Sequence, residues 1–581
     1  MTDKVKIFTL PEGAFSRRRL LAGTGVAAVA AAALAACGSS SKGTEAATAT
    51  TGAADAATTA APATTAATAP TDAAAPTDAA TTVAAATGGG DKVLRVGTLG
   101  GANDILDGQH IVSKADIARQ ATGWEPFMSF SPDYLPEYTN GIAQEVSSTS
   151  PDVWTIKLKD GVKFSNGNAV TSKDMAYSVT RLLDPDLGLF GGSALRPILD
   201  KTGIAVVDDQ TITLTLKQKV SNFREALCAY TFTVVPDGYK RFDGDVTNQV
   251  GTGPYMLKEF EVGKKSVHVK NPNYWDTGKP YFDEVQIIDF ADADAMVNAL
   301  LADQIDCAAD IPATALDTIK GTEGYKVLNS AGGGWLTIFM AVDTPPFDDV
   351  RVRQAMRLIV DRDAMVEQVL AGNGRVANDL FAPLDHAYIG ATLPQRKQDL
   401  DAAKKLLADA GKSDLAVDLF APNDTAGLPE MIQLFAEQAK GAGIKINPVV
   451  MDGSYWDGKE KGGQYLVRGF GVDYWGTRNF LPQVAAGELP TAPYPDTHWP
   501  PKDSKFIDDY NAALAESDDA KRKVITDKMQ QELYDNGGLI IPFFQNGLDG
   551  YNARVQGLVE RANTLNLDHY GRGFKNLSFS G

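Results

Sequence analysis

The sequence predicts an α/β protein, because segments with the period of a strand are interspersed with segments that have the period of a helix. Residues 154–158 and 211–216 carry apolar side chains at every second position, the pattern of a half-buried strand. Residues 352–359, 400–410 and 432–439 carry them three and four positions apart, the pattern of an amphipathic helix. The two kinds of segment alternate without an internal repeat, which favours layers of helices packed on sheet.

Local signals predict where the elements of this fold begin and end. The first strand is expected at residues 93–96. Asp160-Gly161 supplies a turn from strand 154–158 into a return strand at 162–164. Residues 171–174 have the form of a capping box that starts a helix. Later strands are expected at 416–420 and 444–450. Gly411 is expected to end the helix at 400–410.

Three arginines lie opposite the apolar stripe of the helix at 352–359. Arg351, Arg353 and Arg357 share this second face. A run of basic residues on one face is typical of a solvated helix surface. A binding patch is the alternative.

Size and charge limit the classes of function. The chain has 581 residues, of which 44% are hydrophobic, so it buries a large core. Its 73 acidic and 55 basic side chains give a formal net charge of -18. Such a surface repels nucleic acid and anionic lipid, and we expect no nucleic-acid partner. The charge suits a binder of cations or amines, and solubility of a secreted protein is the alternative reason for it.

The first 36 residues have the form of an export signal. Arg17, Arg18 and Arg19 precede an apolar, alanine-rich stretch at 22–36 that is too short for a comfortable membrane-spanning helix. The stretch ends in Leu34-Ala35-Ala36-Cys37, which resembles a bacterial lipobox and predicts lipid attachment at Cys37. The adjacent arginines resemble a twin-arginine signal, with general secretory export as the alternative.

Residues 37–90 predict a disordered tether. They consist mostly of Ala, Thr and Pro and end in three glycines, so almost nothing in them offsets the entropy of ordering. Only Cys228 and Cys307 follow the tether. An exported protein permits a disulfide between them, and two buried thiols are the alternative. Two isolated cysteines and five scattered histidines predict no metal site.

The sequence lacks the spacing patterns of common catalytic sites. It contains no Gly-x-Ser-x-Gly, His-Glu-x-x-His or Cys-x-x-Cys motif. Residues 262–266 are similar to the end of a phosphate-binding loop, but Lys258 stands where that loop needs glycine. We therefore expect neither an enzyme nor a bound cofactor.

A series of short segments resembles one protein family. Gly251-Thr252-Gly253-Pro254-Tyr255 is the first recognisable segment. The others, in chain order, are 154–167, 171–178, 271–275, 279–283, 349–355 and 402–411. By these segments the chain is identified as a member of the bacterial extracellular solute-binding proteins of family 5, which serve peptide, oligopeptide and nickel importers of the ATP-binding cassette (ABC) type.

The resemblance implies a two-lobed periplasmic-binding-protein-like fold, a hinged clamshell with an extra domain on the first lobe. Residues 91–124, 246–340 and 546–581 are expected to build lobe I. Residues 125–245 would form the additional domain, and residues 341–545 would form lobe II.

The resemblance also implies a binding site. Asp473 lies where peptide-binding relatives have an aspartate that holds the α-ammonium group of the ligand, and a turn-capping aspartate is the alternative. Tyr474, Trp475, Trp335 and Trp456 are candidate wall residues, since aromatic side chains bury ligand with little loss of rotamer freedom, and each is also a candidate for the core.

Function follows from the same resemblance. We expect a monomeric, lipid-anchored binding component on the outer face of the cell membrane or in the periplasmic space. It would capture a short peptide or similar amine-bearing solute and deliver it to an ABC permease. The alternatives are a binder of a metal chelate, haem, opine or sugar oligomer, or a secreted enzyme or chaperone on the same scaffold.

Overall fold

The computed structural model describes residues 92–423, 425–456, 469–492, 494–561, 567 and 572–580. The predicted export signal, Cys37 and the predicted tether lie outside the described residues. No helix among the residues described is long and apolar enough to cross a membrane. The fold is α/β, as predicted.

The strands form one large mixed sheet and several small ones. In chain order they are β1 Val93–Leu99, β2 Ser129–Phe130, β3 Pro136–Glu137, β4 Ala143–Ser150, β5 Val153–Leu158, β6 Ile204–Asp208, β7 Thr211–Thr215, β8 Tyr255–Glu261, β9 Lys265–Lys270, β10 Glu284–Phe290, β11 Cys307–Ala308, β12 Tyr325–Met340, β13 Gly374–Val376, β14 Ala416–Pro422, β15 Lys445–Met451, β16 Phe470–Trp475, β17 Leu539–Ile540, β18 Phe543–Asn552, β19 Val555–Gln556 and β20 Ser578–Phe579.

The helices are concentrated in the second half of the chain. In chain order they are α1 Lys114–Gly123, α2 Ser172–Leu182, α3 Phe190–Leu195, α4 Phe223–Leu227, α5 Ala293–Leu301, α6 Leu316–Gly321, α7 Val350–Leu358, α8 Arg362–Leu370, α9 Leu400–Asp409, α10 Leu428–Lys440, α11 Phe480–Gln483, α12 Phe506–Ala515 and α13 Asp519–Asn536.

The large sheet runs in the order β16-β12-β18-β11-β1-β10-β9-β8, and β13 and β17 pair at its side. Strand β12 lies between β16 and β18 in this order. Its first part, up to Ser330, pairs with the second part of β18. From Gly334 onward the pairing with β18 resumes in a shifted register, and from Trp335 the strand also pairs with β16. One pair of long strands therefore joins β16 to the rest of the sheet.

A separate four-stranded sheet lies within residues 125–245, in the order β4-β5-β7-β6. Its core side chains, such as Trp154, Ile156 and Leu214, are buried with Val179 of α2. These residues are the stretch that the sequence assigns to an additional domain, and the lobe boundaries themselves stay a prediction.

Two local predictions in this region are confirmed and one is wrong. Gly161 has φ +76°, as its turn requires. Asp174 accepts hydrogen bonds from the backbone N–H and hydroxyl of Thr171, at 2.8 and 2.7 Å, which completes the capping box. The return strand at 162–164 does not form: only a bridge between Lys163 and Ala169 is present, because β4 and β7 already pair with both edges of β5.

The solvated arginine face predicted for α7 is wrong for two of its three members. Arg351 is exposed, but Arg353 and Arg357 are buried. The Arg353 guanidinium donates to the carbonyl of Asn536 at 3.1 Å, and that of Arg357 donates to the carbonyl of Tyr534 at 2.8 Å. These carbonyls end α13 and have no partner within their own helix, so the two arginines cap it.

The glycines of the 251–255 segment are needed for close packing. Neither Gly251 nor Gly253 has a positive φ. A Cβ on Gly251 would lie 2.0 Å from the carbonyl oxygen of Gly123, and one on Gly253 would lie 2.5 Å from its carbonyl carbon. Between them, the Thr252 hydroxyl accepts a hydrogen bond from the backbone of Glu125 at 3.1 Å. The segment therefore packs on the chain where it leaves α1.

A buried polar network lies beside this packing. Both oxygens of the Glu125 carboxylate accept hydrogen bonds at 2.6 Å, one from the Tyr274 hydroxyl and one from the Trp275 indole. The ammonium of Lys575, near the C-terminus, lies 3.5 Å from the same carboxylate. A buried charge that is paired and hydrogen-bonded in this way ties three distant parts of the chain together.

Replacing Gly251 by alanine should destabilise the protein, because the new Cβ meets backbone that cannot rotate away. We expect a loss of about 1–3 kcal/mol in the free energy of unfolding, measured by chemical denaturation. Gly321→Ala is the matched control, since nothing lies within 4 Å of a Cβ there. Equal stability of the two variants would contradict the packing account.

Candidate ligand-binding site

Strand β16 carries three of the predicted site residues, and its pairing with β12 fixes which way they face. Thr337 lies opposite Asp473, and Trp335 lies opposite Trp475. Residues directly opposite in an antiparallel pair share a face of the sheet, and so do alternate residues of one strand. Asp473, Trp475 and Trp335 therefore lie on one face, and Tyr474 lies on the other.

The face that carries Asp473 is covered by a row of stacked rings. Trp335 stacks on Trp475 with centroids 5.9 Å apart and an interplanar angle of 18°. Phe381 stacks on the other side of Trp335 at 6.0 Å, and Phe480 stacks on Phe381 at 5.4 Å. Trp335 and Trp475 are only 2% and 7% exposed. These two tryptophans are thus part of a packed aromatic cluster.

The opposite face carries the other two candidates. Tyr474 and Trp456 are half-buried, and their rings meet edge to face with centroids 5.5 Å apart. Tyr455 holds this face to the strand: its hydroxyl donates to the carbonyl of Val472 at 2.7 Å and accepts from the amide of the same residue at 2.8 Å. The structure gathers all the predicted site residues around β16, but it divides them between two faces.

Asp473 is fully buried, with 0% of its surface exposed. One carboxylate oxygen accepts a hydrogen bond from the backbone N–H of Tyr474 at 2.8 Å. Opposite it, the Thr337 hydroxyl donates to the carbonyl of Ile540 at 2.9 Å. The carboxylate therefore lies inside the protein, beside the pairing of β16 with β12.

Residues of the predicted additional domain contact residues of the predicted second lobe. The backbone N–H of Ser221 donates to the carbonyl of Leu514 at 2.9 Å, and Arg522 donates to the Ser221 hydroxyl at 3.2 Å. The Asn479 side chain lies near the Glu225 carboxylate. Asn479 comes four residues after the end of β16, so this second contact lies close in the chain to the strand that carries Asp473.

Glu225 and Asp385 lie close enough for their negative charges to interact. Burial, followed by the charge of Asp385, raises the pKa of Glu225 to about 7, against the opposing effects of Asn479, Asn222 and the charge of Arg522. Asp385 itself accepts from the backbone N–H of Phe480 at 2.7 Å. Sequence reasoning missed this acidic pair, because its two members lie on segments far apart in the chain.

A further buried acid lies behind the aromatic cluster. Glu488 ends the π-helical turn Val484–Glu488, is 3% exposed, and accepts a hydrogen bond from the Thr497 hydroxyl at 3.0 Å. Burial raises its pKa to about 7. The turn lies against the cluster: a Cβ on Gly487 would lie 3.2 Å from the Trp475 ring.

The described cysteines and potential metal ligands form neither a disulfide nor a site for a metal ion. Among the residues that the structure describes, no group of three His, Cys, Asp or Glu side chains could hold a metal ion. Cys228 and Cys307 are both buried free thiols. Of the two alternatives for these cysteines, the structure therefore shows the second.

The fold is that of the bacterial substrate-binding proteins of ABC transporters. The substrate-binding protein CtaP of Listeria monocytogenes matches it with a TM-score of 0.72 at 18% identity, covering 84% of this chain and 99% of that one. The binding protein AgaA of A. tumefaciens R10, solved with agropinic acid, matches with a TM-score of 0.66 at 20% identity, covering 84% and 99%. At such identities the likeness establishes the two-lobed fold.

Sequence similarity then gives the family. The periplasmic oligopeptide-binding protein OppA of Escherichia coli (strain K12) is 27% identical over 439 residues, which covers 70% of this chain and 78% of OppA. Residues 137–488 match the family described as bacterial extracellular solute-binding proteins, family 5, middle region. The chain belongs to this family, and the predicted family and fold class are confirmed. It is a solute-binding component of an ABC importer that works outside the cytoplasm.

Replacing Glu488 by glutamine should change how stability depends on pH. Its raised pKa means that the native state keeps the proton while the unfolded state loses it between pH 4.5 and about 7. This difference in pKa contributes at most about 3 kcal/mol to the free energy of unfolding. The contribution is complete below pH 4.5 and is lost as the pH rises through 7. The melting temperature of Glu488→Gln relative to wild type should therefore rise between pH 5 and pH 8.

The control for this experiment is Glu437→Gln, because that side chain is 67% exposed. Its melting temperature should follow the wild-type curve at every pH. A Glu488→Gln curve that stays parallel to wild type would mean that this carboxyl keeps an ordinary pKa.

Proposed function

We propose that this family 5 protein captures a short peptide or a similar amine-bearing solute and hands it to an ABC permease. The observation that carries the proposal is the fully buried Asp473 carboxylate on β16, beside the cluster of Trp335 and Trp475. The similarity to an oligopeptide-binding protein supports the same class of ligand.

The ligand amine would contribute most to the free energy of binding at a position from which water is excluded. A charge-assisted hydrogen bond between an ammonium and a buried carboxylate contributes about 1.5–3 kcal/mol. It also fixes the position of one ligand end, so that other contacts select among side chains. Because the solute would touch both lobes only when they are closed, binding favours the closed state, and closure signals a loaded protein to the permease.

A second candidate is a binder of a non-peptide solute. The fold also occurs in AgaA, whose solved complex contains agropinic acid. Such a ligand would use the same buried position with different contacts. The two candidates differ in whether a free amine on the ligand is required.

Replacing Asp473 by asparagine should weaken binding of free-amine peptides about ten- to a hundredfold, because the amide keeps the size but loses the charge. The measurement is calorimetric titration with alanine tripeptides bearing free or acetylated amino termini. Acetylated peptides should bind weakly and equally to both proteins.

The control variant is Asp401→Asn, whose side chain is 98% exposed. It should bind like wild type. If Asp473→Asn retains full affinity for free-amine peptides, Asp473 does not hold the ligand amine. Mass spectrometry of solutes released from freshly purified, denatured protein identifies the ligand in that case.

Lipid anchoring at Cys37 is the other part of the proposal. The support is the export-signal pattern of residues 1–36 and the tether-like composition of residues 37–90. A single lipid-modified cysteine would keep the binding domain at the membrane, and the tether would give it reach.

Cys37→Ser should move the protein from the membrane fraction to the soluble fraction of cells that express the full chain, because no thiol is left for the lipid. Immunoblots of the two fractions measure this. Ser39→Ala, two residues away, should stay with the membrane. A Cys37→Ser protein that still sediments with membranes would contradict anchoring at this residue.

A further inference from the structure

Two carboxylates meet at the contact between α4 and the segment after β16, and none of the described basic side chains pairs with them. Glu225 and Asp385 come from different predicted domains, and their negative charges interact there. Asp385 is placed by the backbone N–H of Phe480, the residue after Asn479, which donates to it at 2.7 Å. The ion pairs of the described residues include neither of them. Arg522 is close enough for its charge to oppose the raised pKa of Glu225, but its ion pair is with Asp519.

The amides around the acidic pair leave acceptors without donors. The side-chain nitrogen of Asn222 donates to Glu225 at 3.1 Å, and the Asn479 side chain lies near the same carboxylate. The oxygens of Asn222, Asn479 and Gln483 are all buried and have no hydrogen-bond partner among the described residues. Asn479 and Gln483 are 8% and 2% exposed, so water reaches them poorly.

An excess of buried acceptors needs donors from outside the protein. An ammonium offers three N–H donors and a guanidinium offers five, and neither accepts a hydrogen bond. Either group would neutralise the repulsion between Glu225 and Asp385 and supply the missing donors at once. The net charge of -18 draws such cations toward the protein.

This acidic pair lies within ligand reach of the predicted amine site. Asn479 follows Asp473 by six positions along β16 and its exit. Six residues span at most about 20 Å, and an extended short peptide with a long basic side chain covers a distance of this order.

We propose that Glu225, Asp385, Asn222 and Asn479 form a subsite for a second positive charge on the solute, so that the preferred ligand is a short peptide with a lysine- or arginine-like side chain. The proposal rests on the proposed function, in which Asp473 holds the first amine. The two parts of the subsite come from the two predicted domains, so the basic side chain would also bridge them in the closed state.

The test compares alanine tripeptides that carry lysine or its neutral isostere norleucine at each of the three positions. Wild-type protein should bind the lysine peptide about ten- to a hundredfold more tightly at one or more positions. Glu225→Gln and Asp385→Asn should reduce this ratio towards one while affinity for the norleucine peptides stays within about threefold of wild type. Melting temperatures check that the variants fold, and Asp401→Asn serves as the control.

Three outcomes would overturn the subsite. Equal affinity of the wild-type protein for the lysine and norleucine peptides at every position shows that the protein does not recognise a second charge. An unchanged ratio in Glu225→Gln and Asp385→Asn places the selectivity elsewhere. An equal loss of affinity for lysine and norleucine peptides shows that the acidic pair only latches the two domains together.

A second pair of probes separates the subsite from the proposed function. Cadaverine and pentylamine have the same chain length but differ in one amine. If no peptide binds, yet cadaverine binds more tightly than pentylamine and the difference depends on Glu225, the subsite stands and the peptide function fails. If neither peptides nor cadaverine bind, both fail.

Discussion

The pairing of β12 with β18 is the constraint on which the rest of the structure depends, because it joins β16, the strand that carries Asp473, to the rest of the large sheet. The ladder is interrupted between Ser330 and Gly334, and side chains take over part of the backbone hydrogen bonding there. The Thr477 hydroxyl accepts from the Gly333 amide at 2.9 Å, and Arg375 donates to the carbonyl of Gly332 at 2.7 Å. Backbone groups that leave a ladder need such partners.

The same constraint sets the orientation of the site. Strand β16 pairs with the second part of β12, and that register places Asp473 opposite Thr337. A slip by one residue would turn the Asp473 carboxylate to the face that carries Tyr474 and Trp456. The stacking of Trp335 on Trp475 also stabilises this register, because a slip of one strand would separate the two rings. Aromatic residues that the sequence offered as ligand walls thus also fix the strand that presents the charge.

Local sequence patterns predicted much of the fold but only part of the candidate site. The capping box at Thr171 and the turn at Gly161 need only neighbouring residues, and both are present. The return strand at 162–164 is absent because pairing partners of β5 come from elsewhere in the chain. The buried Arg357 likewise depends on the end of a helix far away in sequence. Asp473 was found by family resemblance, whereas Glu225 and Asp385 come together only in the folded chain.

The buried acids of the protein divide by their partners, and this division separates structural roles from ligand binding. Burial acts to raise the pKa of Asp379, but the charge of Arg362 at 2.7 Å and of its neighbours outweighs it, so the pKa is lowered. For Glu225 burial is reinforced by Asp385, and the pKa is raised to about 7. A carboxylate such as Asp379 is neutralised by arginines of the protein itself, so it has a structural role. An acidic pair with surplus acceptors would instead be neutralised by a cation that binds with the solute, as proposed for Glu225 and Asp385.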